Sequence, residues 1–209
     1  MGDILIDGID DYLLDLLGSE RDSVLVEMEN YAQEQGFPII GPLVGQVLSQ
    51  YVHLIEAKRI LELGSGFGYS AIYLAKAAPE AEVICTDISE ENKKLSISYF
   101  KRLTISNIKF IVGDSLEVIN KLQGEFDVIF NDVDKEQYPE AFKLAVPRLR
   151  KGGILITDNS LWYGWVLESN PQRESTKGVK EYNHLAFSDS RVLSTMIPIR
   201  DGLCISIKL

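Results

Sequence analysis

Two short segments carry side chains that could act on one substrate. Asp132-Val133-Asp134-Lys135 follows the apolar run Phe126-Asp127-Val128-Ile129-Phe130, and Asp158-Asn159 follows Gly153-Ile154-Leu155-Ile156-Thr157. Two carboxylates and an amide offer only oxygen donors, the set suited to a hard divalent cation such as Mg2+ or Mn2+. Asp132, Asp158 and Asn159 are therefore candidate metal ligands. Lys135 adds a general base or an electrostatic guide, and with Asp132 forms the candidate catalytic pair. Each residue also has an ordinary use. Asp132 and Asp158 could cap the turn or helix that follows, and Lys135 could be a solvated surface group. A cation near a helix start, however, opposes the macrodipole.

A glycine-rich loop, Glu62-Leu63-Gly64-Ser65-Gly66-Phe67-Gly68, opens a helix directly after a strand-forming run. The dinucleotide fingerprint G-x-G-x-x-G would need glycine where Tyr69 stands. Glu62 would meet a pyrophosphate with like charge. Asp87 ends the next strand, where an acid can hold two ribose hydroxyls. The loop therefore suits a ribose-bearing ligand that lacks phosphates and carries a cationic amine. S-adenosylmethionine meets these conditions and NAD does not, which weakens an NAD-dependent oxidoreductase as the alternative. A non-catalytic S-adenosylmethionine-binding module is the third reading.

These groups need a scaffold that brings strand ends together. From Arg59 the pattern alternates, with strands expected at Arg59–Leu63, Glu82–Thr86, Ile108–Val112, Phe126–Asn131 and Gly153–Thr157. Helices are expected between them at Tyr69–Ala77, Glu90–Leu103, Leu116–Lys121 and Tyr138–Arg150. Repeated βα units imply a mostly parallel sheet with helices on both faces, and ligands bind beyond the carboxyl ends of its strands. Val192–Ile199 and Leu203–Ile207 flank the turn signal Arg200-Asp201-Gly202, so an antiparallel hairpin completes a seven-stranded α/β sheet. Asp10 to Gly36 reads as helical with a break near Gly18-Ser19, and Leu43 to Glu56 as a further helix. Leu161 to Lys180 reads as the one long irregular segment, with Trp162 and Trp165 suggesting a lid or pocket wall.

At 209 residues the chain fits one domain, with N-terminal helices over 1–56 and a cofactor-binding and catalytic core over 57–209. No apolar run is long enough to span a bilayer. Cys85 and Cys204 both fall in strands expected to be buried, which fits a reduced, cytoplasmic setting. The formal charge of −10 argues against a polyanionic partner. Lys93-Lys94, Lys101-Arg102 and the group Arg148, Arg150 and Lys151 read as solvated helix faces.

Taken together, Leu61-Glu62-Leu63-Gly64, Gly68-Tyr69-Ser70, Asp132-Val133-Asp134-Lys135 with Tyr138, Asp158-Asn159-Ser160-Leu161-Trp162 and the closing Asp201-Gly202 carry a resemblance. From about Gln35 to Leu209 the chain resembles the cation-dependent class I O-methyltransferases, which include catechol and caffeoyl-coenzyme A O-methyltransferases. The resemblance implies a Rossmann-like class I methyltransferase fold, with Asp132, Asp158 and Asn159 on the metal and Lys135 near the reacting hydroxyl. It also implies S-adenosylmethionine contacts from Glu62, Gly64, Gly66, Gly68, Ser70, Asp87, Gly113, Asp114, Ser115 and Asp132. Ser70 would meet the methionine carboxylate, Asp87 the ribose, and Gly113-Asp114-Ser115 the adenine. The N-terminal helices resemble segments that serve a homodimer.

A bacterial branch that methylates 5-hydroxyuridine at the tRNA wobble position is similar in the Tyr31-Ala32 and Pro38-Ile39 region, in Glu181-Tyr182-Asn183-His184 and in Ile197-Pro198. That branch carries a strongly basic stretch where this chain has only Arg173, Lys177 and Lys180, and Arg200 stands where a glycine is common. The expected acceptor is a hydroxyl with a vicinal oxygen, as in a catechol-like phenol or, alternatively, tRNA 5-hydroxyuridine.

Overall fold

The computed structural model describes residues 8–18 and 21–209. Three helices come first, α1 (Ile9–Leu16), α2 (Ser23–Gln35) and α3 (Gly41–Leu54). The expected break between the first two includes Gly18, while Ser19 lies outside the described residues. Asp22 starts α2 as its cap, accepting from Val24 N at 3.0 Å. Gly36 ends it in the left-handed conformation, φ 61°. α2 buries Val24, Leu25, Met28 and Ala32, whereas α1 buries none of its residues.

The alternating part follows the sequence pattern closely. Its elements are β1 (Arg59–Leu63), α4 (Tyr69–Ala77), β2 (Glu82–Asp87), α5 (Glu90–Arg102), β3 (Ile108–Val112), α6 (Ser115–Lys121), β4 (Phe126–Asn131), α7 (Tyr138–Arg148) and β5 (Leu149–Thr157). After these come α8 (Glu174–Ser188), β6 (Val192–Ile197) and β7 (Leu203–Lys208). The seven strands form one sheet in the order β3-β2-β1-β4-β5-β7-β6. β1 to β5 pair in parallel; β7 runs antiparallel between β5 and β6. The architecture is the expected mostly parallel seven-stranded α/β sheet with an antiparallel closing hairpin.

Side chains alternate across the sheet because the strand period is two. Ile60, Val83, Val128 and Ile154 join the core under α2, α3 and α4; Leu61, Leu63, Ile84, Ile129 and Leu155 join the core under α6, α7 and α8. Burying each such side chain contributes about 1.5–3 kcal/mol. Cys85 and Cys204 are buried and free. No helix among the described residues is long and apolar enough to cross a membrane.

Two expectations need correction. β5 begins at Leu149 rather than Gly153, because its register shifts opposite Phe126 and Val128 and Gly152 adopts φ 74° within the strand. Leu161 to Lys180 is not irregular throughout. A 3-10 turn spans Trp162–Leu167, and α8 starts at Glu174. The helix presents Thr176, Val179, Tyr182 and Ala186 to the core, a helical spacing that the polar residues and Gly178 between them obscure.

Candidate active site

Strand order reverses between β1 and β4, the switch point where an open α/β sheet leaves a crevice. Register aligns the strand ends there, pairing Leu63 with Thr86 and with Asn131, and Asn131 with Thr157. The next residues along each chain are Gly64, Asp87, Asp132 and Asp158. Chemistry-bearing positions far apart in sequence thus form one row above the sheet, and they open onto a cavity of about 690 Å3.

On the β1–β3 side the loop is built from backbone. Gly64 has φ 84°, and a Cβ there would come within 2.8 Å of the Asp132 carbonyl carbon. Only glycine allows the β1 and β4 chains to run so close. Gly64 N and Ser65 N donate to Thr86 O at 3.1 and 2.9 Å. Asp87 accepts from Gly66 N at 3.0 Å, Ser89 N at 2.8 Å and Asn92 Nδ2 at 3.0 Å. Asp114 caps α6 through Leu116 N and Glu117 N at 2.8 and 3.1 Å. Ser115 Oγ pairs with Thr86 Oγ1 at 2.8 Å.

Gly64, Gly66, Ser70, Asp87, Asp114 and Ser115 all line the cavity, whereas Glu62, Gly68 and Gly113 stand behind its wall. Gly68 caps α4 at φ 89°, against the Phe100 ring. Gly113 N bonds to Asp87 O at 2.9 Å. Glu62 is fully buried; Ser65 Oγ donates to its Oε2, while Oε1 has no partner among the described residues. Burial pushes the Glu62 carboxyl up to about 7 against the opposing hydroxyls of Ser65 and Ser70, with the charges of Asp132 and Asp87 adding to the rise.

On the β4–β5 side, Asp132, Lys135, Asp158 and Asn159 line the same cavity. Asp132 is fixed by its own N–H donating to Leu63 O at 2.9 Å, and Asp158 by donation to Asn131 O at 3.2 Å. Tyr138 Oη donates to Asp158 O at 2.9 Å, so this buried tyrosine holds the candidate ligand's backbone as well as packing. Lys135 Nζ donates to Asp132 Oδ1 at 2.8 Å and lies 5.1 and 5.5 Å from the centres of the Tyr138 and Trp162 rings.

Asn159 adopts φ 49° and donates from Nδ2 to Asp201 Oδ2 at 3.3 Å. With its amide nitrogen committed, its oxygen is the end left for a cation. Burial and then the Asp132 charge push the Asp158 carboxyl up to about 7, and burial likewise raises Asp132. Two carboxylates that oppose one another's ionisation gain from a cation between them. Among the described residues no group of three His, Cys, Asp or Glu side chains forms a metal cluster. The set here is two carboxylates with an amide, and its donor chemistry fits a hard divalent ion.

Over residues 19–209 the chain matches the O-methyltransferase family model. The chain belongs to the O-methyltransferase family. It is 30% identical to the catechol O-methyltransferase of Niastella koreensis, over 99% of each chain. It is 33% identical to the caffeoyl-CoA O-methyltransferase of Eucalyptus gunnii, over 79% of this chain and 72% of that one. Among solved structures it superposes on the O-methyltransferase from Bacillus cereus in complex with SAH, with a TM-score of 0.88, 25% identity and 97% of each chain covered. This O-methyltransferase is S-adenosylmethionine-dependent, and the relatives it resembles are named for catechol and caffeoyl-CoA.

Four residues of this O-methyltransferase site escape sequence reasoning. Asp201, read in sequence as a turn residue and part of the closing motif with no role of its own, joins Asn159 to Tyr163 by accepting from Tyr163 N at 2.5 Å. Gly178 of α8 lies on the Lys135–Glu136 backbone, where a Cβ would come within 2.7 Å of Glu136 Cα. Glu29 of α2 reaches the cavity and accepts from Tyr69 Oη at 2.7 Å. Tyr163, rather than Trp162 or Trp165, lines the cavity, and it is 70% exposed. The aromatic cluster is visible in the sequence, but which ring borders the cavity depends on the turn in which Trp162 and Tyr163 both take positive φ. His184 is exposed on α8 and lies off the cavity wall.

Proposed function

We propose that this enzyme moves the methyl group of S-adenosylmethionine to one hydroxyl of a small catechol-like acceptor, with a divalent cation held by Asp132, Asp158 and Asn159. The observation that carries this reading is the shared wall: those three oxygen donors and Lys135 face one cavity with Gly64, Ser70 and Asp87. Ser70, on the cavity wall, suits the methionine carboxylate, and Glu62, buried behind that wall, backs the methionine ammonium from a distance rather than by contact. Asp87 takes the ribose hydroxyls, and Gly113, Asp114 and Ser115 the adenine. Gly64 and Gly66 permit close approach of the chain, and Gly68 shapes the helix start behind them.

Methyl transfer needs an oxygen nucleophile in line with the sulfonium carbon, and a phenol with a pKa of about 10 is mostly protonated at neutral pH. A bound divalent cation would lower that pKa and orient an acceptor that offers two adjacent oxygens. Lys135 Nζ, steadied by Asp132 and the two rings, receives or guides the hydroxyl proton. The cavity walls hold both reactants in near-attack geometry, which supplies much of the remaining rate.

The surface favours a small acceptor over tRNA. Arg173 pairs with Glu168 and stacks on Trp165, Lys177 pairs with Glu174, and Lys180 bonds to Glu168 O. The cations of that stretch are engaged within the protein rather than presented to phosphates. The same reading includes a cytoplasmic homodimer joined through the N-terminal helices, since α1 has no fully buried residue within its own chain. Labelled methyl transfer to catechol and to tRNA containing 5-hydroxyuridine, each with and without a chelator, tests the proposal. Transfer to catechol that the chelator abolishes is expected. Transfer unaffected by the chelator, or to tRNA alone, overturns it.

A further inference from the structure

Arg200 is in an unusual place for its type. It sits between β6 and β7 at φ 47°, a left-handed conformation that glycine adopts freely and arginine adopts at a cost. Its guanidinium leaves the hairpin and crosses to the segment before α3. There Nη1 donates to Ile39 O at 3.0 Å and also to Ile40 O. Gly41, at φ 68°, makes the room: a Cβ on it would lie 2.9 Å from Nη1. The segment and the hairpin are thus fitted to one another around this side chain.

Two features point beyond a structural pin. Arg200 lines the same cavity as Asp132, Asp158, Asn159 and Tyr163, and it is exposed there. Only Nη1 is engaged: among the described residues Nε and Nη2 meet no protein acceptor. A guanidinium anchored at one nitrogen and open at the others is prepared for a planar anion. The pair Lys135–Asp132 accounts for the lysine charge nearby, and Asp201 is occupied by Asn159 and Tyr163.

From this geometry we infer that Arg200 reads the charge of the acceptor, selecting a vicinal aromatic diol that carries a free carboxylate over its uncharged counterpart. The inference rests on the proposed transfer to catechol-like acceptors and deepens it. The chemistry is specific: the diol engages the reacting end of the cavity, and the carboxylate meets the open edge of the guanidinium at the hairpin.

The test compares kcat/KM for 3,4-dihydroxybenzoate and its methyl ester, which differ by one charge, in the wild type, Arg200→Gly and Arg200→Lys. Glycine suits the backbone at φ 47° and is the gentlest deletion. The wild type is expected to favour the acid by roughly tenfold or more, as for one charge-assisted contact. Arg200→Gly should erase that preference by losing activity mainly on the acid, and Arg200→Lys should keep part of it. Affinity for S-adenosylhomocysteine, measured alongside, should move less than about threefold, since a distant site is left intact. Equal rates on acid and ester in the wild type overturn the inference, as does an equal loss on both in Arg200→Gly, which would make the residue a pin alone. A coenzyme A thioester strongly preferred to the free acid also overturns it. If no catechol is methylated, the proposed function falls with it; if acid and ester are methylated alike, only the role of Arg200 falls.

Discussion

The two halves of the cavity are built on different principles. On the β1–β3 side the left-handed positions belong to glycines, Gly64, Gly66 and Gly68, and the carboxylates of Asp87 and Asp114 already accept backbone N–H groups. On the β4–β5 side Gly164 and Gly202 are joined in the left-handed region by Asn159, Trp162, Tyr163 and Arg200, four of the six non-glycine residues with positive φ among the described residues. Each costs on the order of 1 kcal/mol or more. There burial, and then its neighbour Asp132, raises the carboxylate of Asp158. One half is satisfied before any ligand arrives, while the other holds strain and opposed charge that a cation and an acceptor would relieve. Such concentration of strain is expected where chemistry is done.

The largest expected effect separates the halves most clearly. Asp158→Ala should lower kcat/KM for methyl transfer by about a thousandfold or more, with affinity for S-adenosylhomocysteine changed less than about threefold. A parallel collapse of cofactor affinity, read by calorimetry, would mean the halves are one unit.

Next comes Glu62, the exception on the satisfied side. Its carboxyl is raised from 4.5 to about 7 in the folded protein by burial. The native state therefore binds the proton more tightly than the unfolded chain. The associated stability is present below about pH 4.5 and is lost as pH rises through about 7. Without cofactor, the wild type should lose on the order of 3 kcal/mol across that window relative to Glu62→Gln. Superimposable pH profiles from urea unfolding would remove Glu62 from the comparison.

Asp201→Ala removes the acceptor that orients the Asn159 amide. A loss of about 10- to 100-fold in Mg2+ affinity is expected, as for other groups that hold a ligand in place. Unchanged Mg2+ affinity in a titration would show that Asn159 orients itself. The smallest effect belongs to Asp114→Ala. Losing the α6 cap should cost about 1 kcal/mol of stability, visible in the denaturation midpoint. A far larger loss of cofactor affinity than of stability would show that the carboxylate serves the ligand before the helix.

The same contrast explains what was legible in the sequence. Strands β1 to β5 end in short apolar runs with acids or glycines at their carboxyl ends, so the sheet and the row Gly64, Asp87, Asp132 and Asp158 are legible directly. Elements whose identity depends on tertiary contact could not. α8 looks irregular because Gly178 and its polar neighbours dilute the stripe Val179, Tyr182 and Ala186, and Gly178 is explained only by the Lys135 turn beneath it. Asp201 looks like a turn residue until Asn159, distant in sequence, is seen to donate to it. Glu62 was read as an acid facing the ligand, but its burial and its bond from Ser65 follow from the path of the loop. Arg200 shows in sequence only as a departure from glycine; its partners Ile39 and Ile40 lie at the other end of the chain.

The most direct test of the account is the rate of methyl transfer to a catechol after exhaustive chelation, followed by titration with Mg2+. No measurable transfer in the stripped enzyme and saturable recovery with added Mg2+, absent in Asp158→Ala, is the predicted result. Full activity in excess chelator would contradict a cation held by Asp132, Asp158 and Asn159.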